Sequence, residues 1–249
     1  MPGVSRLTGI HSVRQALEAG RPLDRIVIAR GRGGEHIEEL VRLARSHGIP
    51  VRFEDRAQLD RLAGSSDHHG VVALAAARRA FALEDLLERA PGGAAGLIVL
   101  LDGVEDPHNL GAIARCALAA GADGLVIPER RAAGLTETVA RASAGALEHL
   151  PVARVTNLAR AMEQLKKAGY WLAGLEERAE KNYTEVDYTS PIGIVLGGEG
   201  GGLHELTRKR CDFLVSLPTR GPVRSLNVSV AAGVVLFEAV RQRRQKGLP

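Results

Sequence analysis

The chain has 249 residues, of which 45% are hydrophobic, so it can bury a substantial core in one large domain or in two smaller ones. A net charge of +4 and a pI of about 9.4 are compatible with an anionic partner such as RNA, but they do not establish one. The sequence shows no secretion signal and no apolar run of about 18 residues, which disfavours a membrane span. The two cysteines form no CxxC pair, which disfavours a disulfide framework and a thiolate zinc site. We therefore expect a cytoplasmic protein.

The first 76 residues alternate helix and strand signals. Amphipathic periodicity predicts helices over 10–19, 35–47 and 56–63, and β-branched or apolar runs predict strands over 25–29, 50–54 and 71–76. Residues 77–96 contain an arginine pair, a short helical pattern and a Pro-Gly-Gly sequence, which we interpret as a linker. The sequence thus predicts a small α/β domain over residues 1–76.

Residues 97–249 have the pattern of a second α/β domain. Strand signals at 96–101, 124–128, 152–155, 171–175, 192–196 and 213–217 alternate with helical stretches. Such alternation is typical of a mostly parallel sheet with helices on both faces. Both domains carry a net charge of +2, so any positive patch must be assembled by folding.

The segment LDGVEDPHNLGAIARCALAAG, residues 101–121, is the first with a chemical signal. We predict that Asn109 caps a helix that stops at Gly121. Inside it every residue is apolar or small except Arg115, and a helix that is apolar all round is typically buried. An arginine is rarely buried without a partner, so we expect Arg115 to meet an anion or a developing negative charge. The alternative is an arginine paired with an internal carboxylate.

A glycine-rich segment, IGIVLGGEGGGL at residues 192–203, follows a predicted strand. Ligands of open α/β sheets bind beyond the carboxyl ends of the strands, so the glycines around Glu199 indicate close backbone approach to a ligand. They complete neither the dinucleotide-binding G-x-G-x-x-G pattern nor a P-loop. The alternative is a flexible turn that leaves Glu199 in solvent.

A third segment begins at Phe213 and places Ser225, Asn227 and Ser229 before a strongly apolar helix. Capping that helix requires only one such side chain. The remaining polar side chains are therefore candidates for a binding or catalytic site.

Together these segments resemble the SpoU/TrmH family of ribose 2′-O-methyltransferases, within the SPOUT superfamily. Three motifs carry the resemblance, namely N-x6-R-x5-G at 109–121, G-x-E-x-x-G-L at 197–203 and S-L-N-V-S-V-A at 225–231. GIHSVRQAL at 9–17 and HHGVVA at 68–73 extend it to the N-terminal domain. Family members commonly have glutamine where this chain has His69, and we expect His68 and His69 to be surface residues of a loop.

The resemblance implies a knotted catalytic domain, an N-terminal domain that binds RNA, and a homodimer. It implies S-adenosylmethionine as cofactor and a guanosine ribose of 23S rRNA as substrate, with no metal ion. The residues implied to hold the cofactor are Gly197, Leu217 and Leu226, with Gly174 and Pro218 as weaker candidates. The residues implied to act on the substrate are Asn109, Arg115, Glu199, Ser225 and Asn227.

A guanidinium group seldom gives up its proton, so we interpret Arg115 as a stabiliser of the emerging alkoxide and a holder of the adjacent phosphate. Asn109 and Glu199 would orient Arg115 or the substrate, while Ser225 and Asn227 would complete the hydrogen bonding. Three other functions stay open: methylation of tRNA or of another rRNA site, base methylation through an adduct of Cys116, and a non-catalytic role in RNA binding during ribosome assembly.

Overall fold

The structure is a computed structural model that describes residues 4–76, 80–89, 96–220, 222 and 225–248. Packing divides the chain into two compact units. The first unit contains the described residues up to 76 together with Leu135–His149, and the second contains the rest of the described chain. Helices and strands are numbered below in chain order.

The first unit is built on a four-stranded sheet of order β1-β4-β2-β3. Its strands are β1 (Val4–Thr8), β2 (Leu23–Ala29), β3 (Val51–Glu54) and β4 (Val71–Ala76), and only the pair of β2 and β3 is parallel. The helices between the strands are α1 (Ile10–Glu18), α2 (Glu35–Ser46) and α3 (Arg56–Ala63). The predicted helices and strands are confirmed, whereas β1 is an edge strand that the sequence pattern did not reveal.

Side chains of β2 alternate between the two faces of this sheet, as the pleat requires. Ile26 and Ile28 are buried in the same apolar cluster as residues of α1 and α2. Val27 is buried in a second cluster with Leu59 of α3. The continuous apolar run of β2 is therefore explained by helices that cover both faces.

The second unit contains a seven-stranded sheet of order β7-β6-β5-β10-β8-β11-β9 in which every strand pair is parallel. Its strands are β5 (Leu97–Asp102), β6 (Gly124–Pro128), β7 (Val152–Val155), β8 (Trp171–Leu175), β9 (Lys181–Asn182), β10 (Ile192–Gly197) and β11 (Phe213–Ser216). Its helices are α4 (Leu83–Arg89), α5 (Pro107–Ala119), α8 (Leu158–Lys167), α9 (Glu205–Arg210) and α10 (Val228–Gln245). The parallel sheet predicted from the sequence is confirmed.

The segment Leu135–His149 packs within the first unit although it connects two strands of the second, β6 and β7. It forms α6 (Glu137–Ala142) and α7 (Ala146–His149). Arg21 and Glu148 are joined by an ion pair of 3.0 Å in which both side chains are largely buried. The division into an RNA-binding domain and a catalytic domain at residues 77–96 stays a prediction.

Part of the predicted linker is helical. Leu83 and Leu86 of α4 are buried in the core of the second unit. Residues 77–79 and 90–95 of the linker lie outside the described residues.

The long C-terminal helix α10 packs against α5. Near its end Arg243 is only 4% exposed and donates hydrogen bonds to the carbonyl oxygens of Tyr188 (2.9 Å) and Gly96 (3.0 Å). Burial lowers the pKa of Arg243, because a charged group loses its hydration there. Among the helices in the described ranges, none is long and apolar enough to cross a membrane.

Candidate active site

The chemically informative segments meet at the carboxyl ends of β5 and β10. These two strands are paired in parallel, with Leu97–Asp102 alongside Ile192–Gly197, so Asp102 lies beside Gly197 at the same edge of the sheet. The loops that follow the two strands therefore begin side by side. This edge is where ligands bind in open α/β sheets.

The helix α5 begins two residues before Asn109, so the prediction that Asn109 caps it is wrong. Asp106 is the cap, and its Oδ1 accepts a hydrogen bond of 2.9 Å from the backbone N–H of His108. Asp106 is followed by Pro107 at the first helical position, a combination that begins helices well. The side chain of Asn109, which is 5% exposed, is thereby left free for other partners.

Asn109, Glu199 and Asn227 form a closed hydrogen-bond network. The Nδ2 of Asn109 donates to Oε1 of Glu199. The Nδ2 of Asn227 donates to Oδ1 of Asn109 (2.9 Å) and to Oε1 of Glu199 (3.1 Å). The structure thus brings three predicted site residues together from three separate segments, and Glu199 is not left in solvent without a partner.

Asn227 has a second role as the cap of α10. Its Oδ1 accepts from the backbone N–H of Ser229 (2.9 Å) and from the Ser229 hydroxyl (2.6 Å). The amide group therefore uses its oxygen to begin the helix and its nitrogen to join the network. This fixes the orientation of the Asn227 amide.

A large cleft of about 660 Å³ opens beside the network. Among the predicted site residues, its lining includes Gly197, Glu199, Leu217, Ser225, Leu226 and Asn227. Gly174 and Pro218 are absent from this lining, and Gly174 is buried where an added Cβ would press on Cys211 and Leu203. Their role in cofactor binding stays a prediction.

The glycine loop at residues 198–202 is packed too closely for side chains at its start. An added Cβ at Gly197 would overlap the backbone of Gly202, and one at Gly198 would overlap the carbonyl group of Gly103. Glycine is required at both positions because backbone atoms cannot move aside as a flexible side chain can. The loop thus presents bare backbone to the cleft.

The same loop also lines a small cleft of about 340 Å³. It is lined by the β5–α5 loop, by Asn109 and by Arg131 and His204. Both clefts share the lining residues Gly198, Glu199, Gly201 and Gly202. The two clefts therefore meet at the loop that carries Glu199.

The small cleft also contains an aspartate–histidine pair that the sequence did not reveal. Asp102 is 7% exposed, and its carboxylate accepts hydrogen bonds from the backbone N–H of His204 (2.8 Å) and from Nδ1 of the His204 ring (2.9 Å). The two residues are 102 positions apart, so no local pattern joins them. The only feature of the sequence that could have pointed to this pair was an aspartate, Asp102, at the end of an apolar strand.

Arg115 lies on an exposed face of α5 and lines neither cleft. Ala119 is also exposed, so the expectation that this helix is buried all round is wrong. Within the described ranges no side chain or backbone group forms a hydrogen bond or ion pair with Arg115. The alternative that Arg115 pairs with an internal carboxylate therefore has no support among the described residues. Six residues of helix separate Arg115 from Asn109, a rise of about 9 Å.

Ser225 lines the large cleft and is exposed. In the part of the chain that the structure describes, nothing is hydrogen-bonded to its side chain.

Cys116 is partly buried on α5, facing Gly233 of α10, and lines neither cleft. Burial raises the pKa of the Cys211 thiol to about 12, so this cysteine is protonated at neutral pH.

The two neighbouring histidines of the first unit differ from each other. His68 is fully buried, with Nε2 at 2.9 Å from Oδ1 of Asp60 and Nδ1 accepting from the backbone N–H of Gly70, so the prediction of a surface residue is wrong for it. His69 is exposed at a left-handed φ of 50°. The buried ring of His68 holds the turn that presents His69.

Metal-ligating side chains do not cluster in the described residues: no group of three or more His, Cys, Asp or Glu side chains could hold a metal ion there. The site is thus built from amides, carboxylates, one histidine and exposed backbone.

Both regions of the chain match known families. Residues 96–237 match the SpoU rRNA methylase family, and residues 6–81 match a domain described as RNA 2′-O ribose methyltransferase substrate binding. The chain therefore belongs to the SpoU family of RNA 2′-O-ribose methyltransferases. The order of strands in the parallel sheet is consistent with the knotted fold that the sequence motifs imply.

Relatives and solved structures agree with this assignment. The 23S rRNA (guanosine-2′-O-)-methyltransferase RlmB of Xanthomonas campestris is 46% identical over 95% of this chain and 96% of its own length. The putative TrmH family tRNA/rRNA methyltransferase YacO of Bacillus subtilis is 42% identical over 96% of both chains. The SpoU methyltransferase AviRb of Streptomyces viridochromogenes, solved in complex with AdoMet, superposes with a TM-score of 0.83 at 30% identity, covering 98% of this chain and 92% of AviRb.

Proposed function

We propose that the protein transfers a methyl group from S-adenosylmethionine to the 2′-hydroxyl of a guanosine ribose in 23S rRNA. The observation that carries this proposal is that the large and small clefts meet at the loop holding Glu199. A donor in one cleft and an acceptor in the other would be in contact at that loop. The identity to the Xanthomonas enzyme supports guanosine and 23S rRNA as the target.

The large cleft fits S-adenosylmethionine in size and chemistry. Its volume of about 660 Å³ lies within the usual range for small-molecule sites. Leu217 and Leu226 supply apolar surface for a purine ring, the bare backbone at Gly197 supplies polar groups, and Glu176 and Glu177 bring negative charge toward a cationic ligand. We assign cofactor binding to Gly197, Leu217 and Leu226, and we keep Gly174 and Pro218 as candidates outside the lining.

Bound S-adenosylmethionine supplies a methyl group on a cationic sulfur, which is already a strong electrophile. The protein must therefore align the ribose hydroxyl and stabilise the charge that develops on its oxygen. We assign alignment to Asn109, Glu199 and Asn227, whose amides and carboxylate hold one another in fixed orientations. Ser225 adds a hydroxyl to the large cleft. The guanidinium of Arg115 is exposed and has no partner among the described residues, and we assign to it the adjacent phosphate and the alkoxide.

The target is tested with rRNA from a strain lacking the gene and from its complemented partner. We expect nucleoside mass spectrometry and primer extension to show that one 2′-O-methylguanosine of 23S rRNA is lost and then restored. An intact 23S pattern with a missing tRNA ribose methyl would overturn the substrate. Absence of S-adenosylmethionine binding at millimolar concentration in calorimetry would instead favour the assembly-protein alternative. An rRNA substrate also supports a cytoplasmic location.

We assign RNA binding to the N-terminal domain, in keeping with the substrate-binding family that it matches. The lining of a surface cleft in this unit includes Arg32, Arg42 and Arg45, the exposed ring of Phe53, and Glu35 and Glu38. Within the described chain these three arginines have no carboxylate partner. Guanidinium groups hold phosphates, and an aromatic ring can stack on an unpaired base.

Replacing Arg42 and Arg45 together with glutamate is expected to weaken RNA binding without changing affinity for S-adenosylmethionine. The two reversed charges repel phosphates and lie in the unit that does not hold the cofactor cleft. Filter binding at fixed salt measures the first effect and calorimetry the second. The matched control reverses Arg160, an exposed arginine of α8 in the other unit. Equal RNA affinity of the double variant and the wild type would refute this surface.

We also propose that two copies of the chain associate through α10. Seven large hydrophobic side chains are strongly exposed in the described residues, and four of them are Leu226, Val230, Val234 and Phe237. The last three are spaced by four and three residues and so share one face of the helix. Contiguous exposed apolar surface of this kind marks an interface, and the resemblance implies a homodimer.

Phe237→Arg is expected to convert the dimer to a monomer, because it replaces a large apolar side chain of this face with a charged one. Sedimentation equilibrium measures the mass directly. Phe53→Arg is a matched control, since its ring is 47% exposed compared with 50% for Phe237 but lies in the first unit. A Phe237→Arg protein that stays dimeric, or a wild-type monomer, would contradict this interface.

A further inference from the structure

Methyl transfer to a hydroxyl group releases a proton, and the network of Asn109, Glu199 and Asn227 is poorly suited to accept it. The two amides are not bases, and Glu199 accepts two hydrogen bonds on Oε1, so its carboxylate could take a proton only on Oε2. A guanidinium group, as in Arg115, seldom gives up its proton and so does not serve as a base. Another group in the small cleft must therefore be considered.

We propose that His204, oriented by Asp102, accepts the proton of the ribose 2′-hydroxyl. The inference rests on the proposed methyltransferase function and adds to it the group that manages the proton. His204 lines the small cleft together with Asn109 and Glu199, at the loop where the two clefts meet.

The hydrogen bonds of Asp102 determine which nitrogen of His204 is available. Nδ1 lies 2.9 Å from Oδ1 of Asp102, so in the neutral ring the proton resides on Nδ1 and is donated to the carboxylate. Nε2 is then an acceptor with a free lone pair. Within the described residues nothing is hydrogen-bonded to Nε2, and the His204 side chain is 51% exposed.

The backbone contact holds the ring in place as well. The second oxygen of Asp102 accepts from the backbone N–H of His204 at 2.8 Å, so one nearly buried carboxylate fixes both the residue and its ring. Carboxylate, imidazole and hydroxyl in this order form the arrangement that activates hydroxyl groups in acyl-transfer enzymes. Here the hydroxyl belongs to the substrate instead of to a serine.

The step balances without a further reactant. A bond forms between the ribose 2′-oxygen and the methyl carbon, while the bond between that carbon and the sulfonium sulfur breaks and leaves its electron pair on sulfur. The hydroxyl proton passes to Nε2 of His204 and is later lost to water. The imidazolium that forms lies against the Asp102 carboxylate.

Other charged groups around His204 are mostly anionic. Four other charged residues line the same cleft: Glu105 and Asp106 from the β5–α5 loop, Glu199 from the glycine loop, and Arg131 from the segment after β6. Two more, Glu205 and Arg208, lie on α9. A purely structural role is the competing explanation, because the Asp102 contact also ties the loop before α9 to the end of β5. The test must therefore remove Nε2 without removing that contact.

His204→Asn is the discriminating variant. The asparagine amide can donate to Asp102 from about the position of Nδ1, but it has no counterpart of Nε2. We expect unchanged affinities for S-adenosylmethionine and RNA, an unchanged Tm, and a single-turnover rate lowered by about a hundredfold or more.

A measurement independent of activity uses 15N NMR of the histidine rings, with the His204 signals identified by their loss in His204→Asn. We expect the Nδ1–H tautomer in the free protein at mildly alkaline pH. The Nε2–H tautomer, or a His204→Asn enzyme with the wild-type rate, would overturn the role of His204. A wild-type protein that binds no S-adenosylmethionine would overturn the proposed function itself, so the two failures are distinguishable.

Discussion

Arg115→Ala will lower the rate of methyl transfer by about a hundredfold or more while leaving the protein folded, because the lost guanidinium is proposed to stabilise charge in the transition state. The exposed side chain has no partner in the described residues, so its removal should change the free energy of unfolding by only about 0.5 kcal/mol. Single-turnover methylation of 23S rRNA fragments and thermal unfolding measure the two effects.

Two further variants sharpen this test. Arg160→Ala removes another exposed helical arginine from the same unit and is expected to keep full activity. Arg115→Lys keeps the charge but loses the planar fork that binds phosphate, so we expect only partial activity. Unchanged turnover of Arg115→Ala would remove this residue from the mechanism, whereas a failure of that variant to fold would indicate a structural partner for the arginine.

Gly197→Ala will abolish binding of S-adenosylmethionine and destabilise the second unit. The added Cβ would overlap backbone atoms of Gly202 and Leu203, so the loop that carries Glu199 must move. Overpacking of this kind costs about 1–3 kcal/mol or more, and in a chain of this size each 1 kcal/mol lowers Tm by about 2–4 °C. Calorimetry with the cofactor and thermal unfolding report the two losses.

The matched control is Gly201→Ala in the same loop. An added Cβ there would meet no atom within 4 Å, and the backbone of Gly201 is not in the left-handed region. We expect a Tm close to that of the wild type. Gly201 lines the large cleft but its added methyl group overlaps no backbone, so we expect a smaller loss of cofactor affinity than in Gly197→Ala. If Gly197→Ala binds the cofactor as well as Gly201→Ala does, the close approach of the loop has no role in the site.

Six of the seven strands of the second unit could be predicted, because each forms one apolar run that is buried in the sheet. β5 and β10 are covered by helices on both faces and are therefore apolar along their length. β1 and β9 carry a weaker signal: β1 is an edge strand containing Arg6, and β9 is only two residues long. Short or edge strands depend on pairing with a neighbour, which local sequence does not specify.

The helix cap shows how two adequate local signals compete. Asp106 and Asn109 are both good capping residues, and Pro107 decides in favour of Asp106 because proline fits the first helical position. Pro107 is visible in the sequence, but the prediction that Asn109 caps the helix did not take it into account. The consequence for function is that Oδ1 of Asn109 accepts from the Asn227 amide instead of from the backbone of its own helix.

The sequence by itself determined the family, the parallel sheet and most of the polar residues placed at the site, because motif order, apolar periodicity and glycine positions are properties of the chain. Only the tertiary structure decided which of these residues touch. It joined Asn109 to Glu199 and Asn227, paired Asp102 with His204 and left Arg115 exposed. It also packed Leu135–His149 with the first unit. Contacts between distant segments depend on how parallel strands order themselves in a sheet, and no local pattern in the chain records that order.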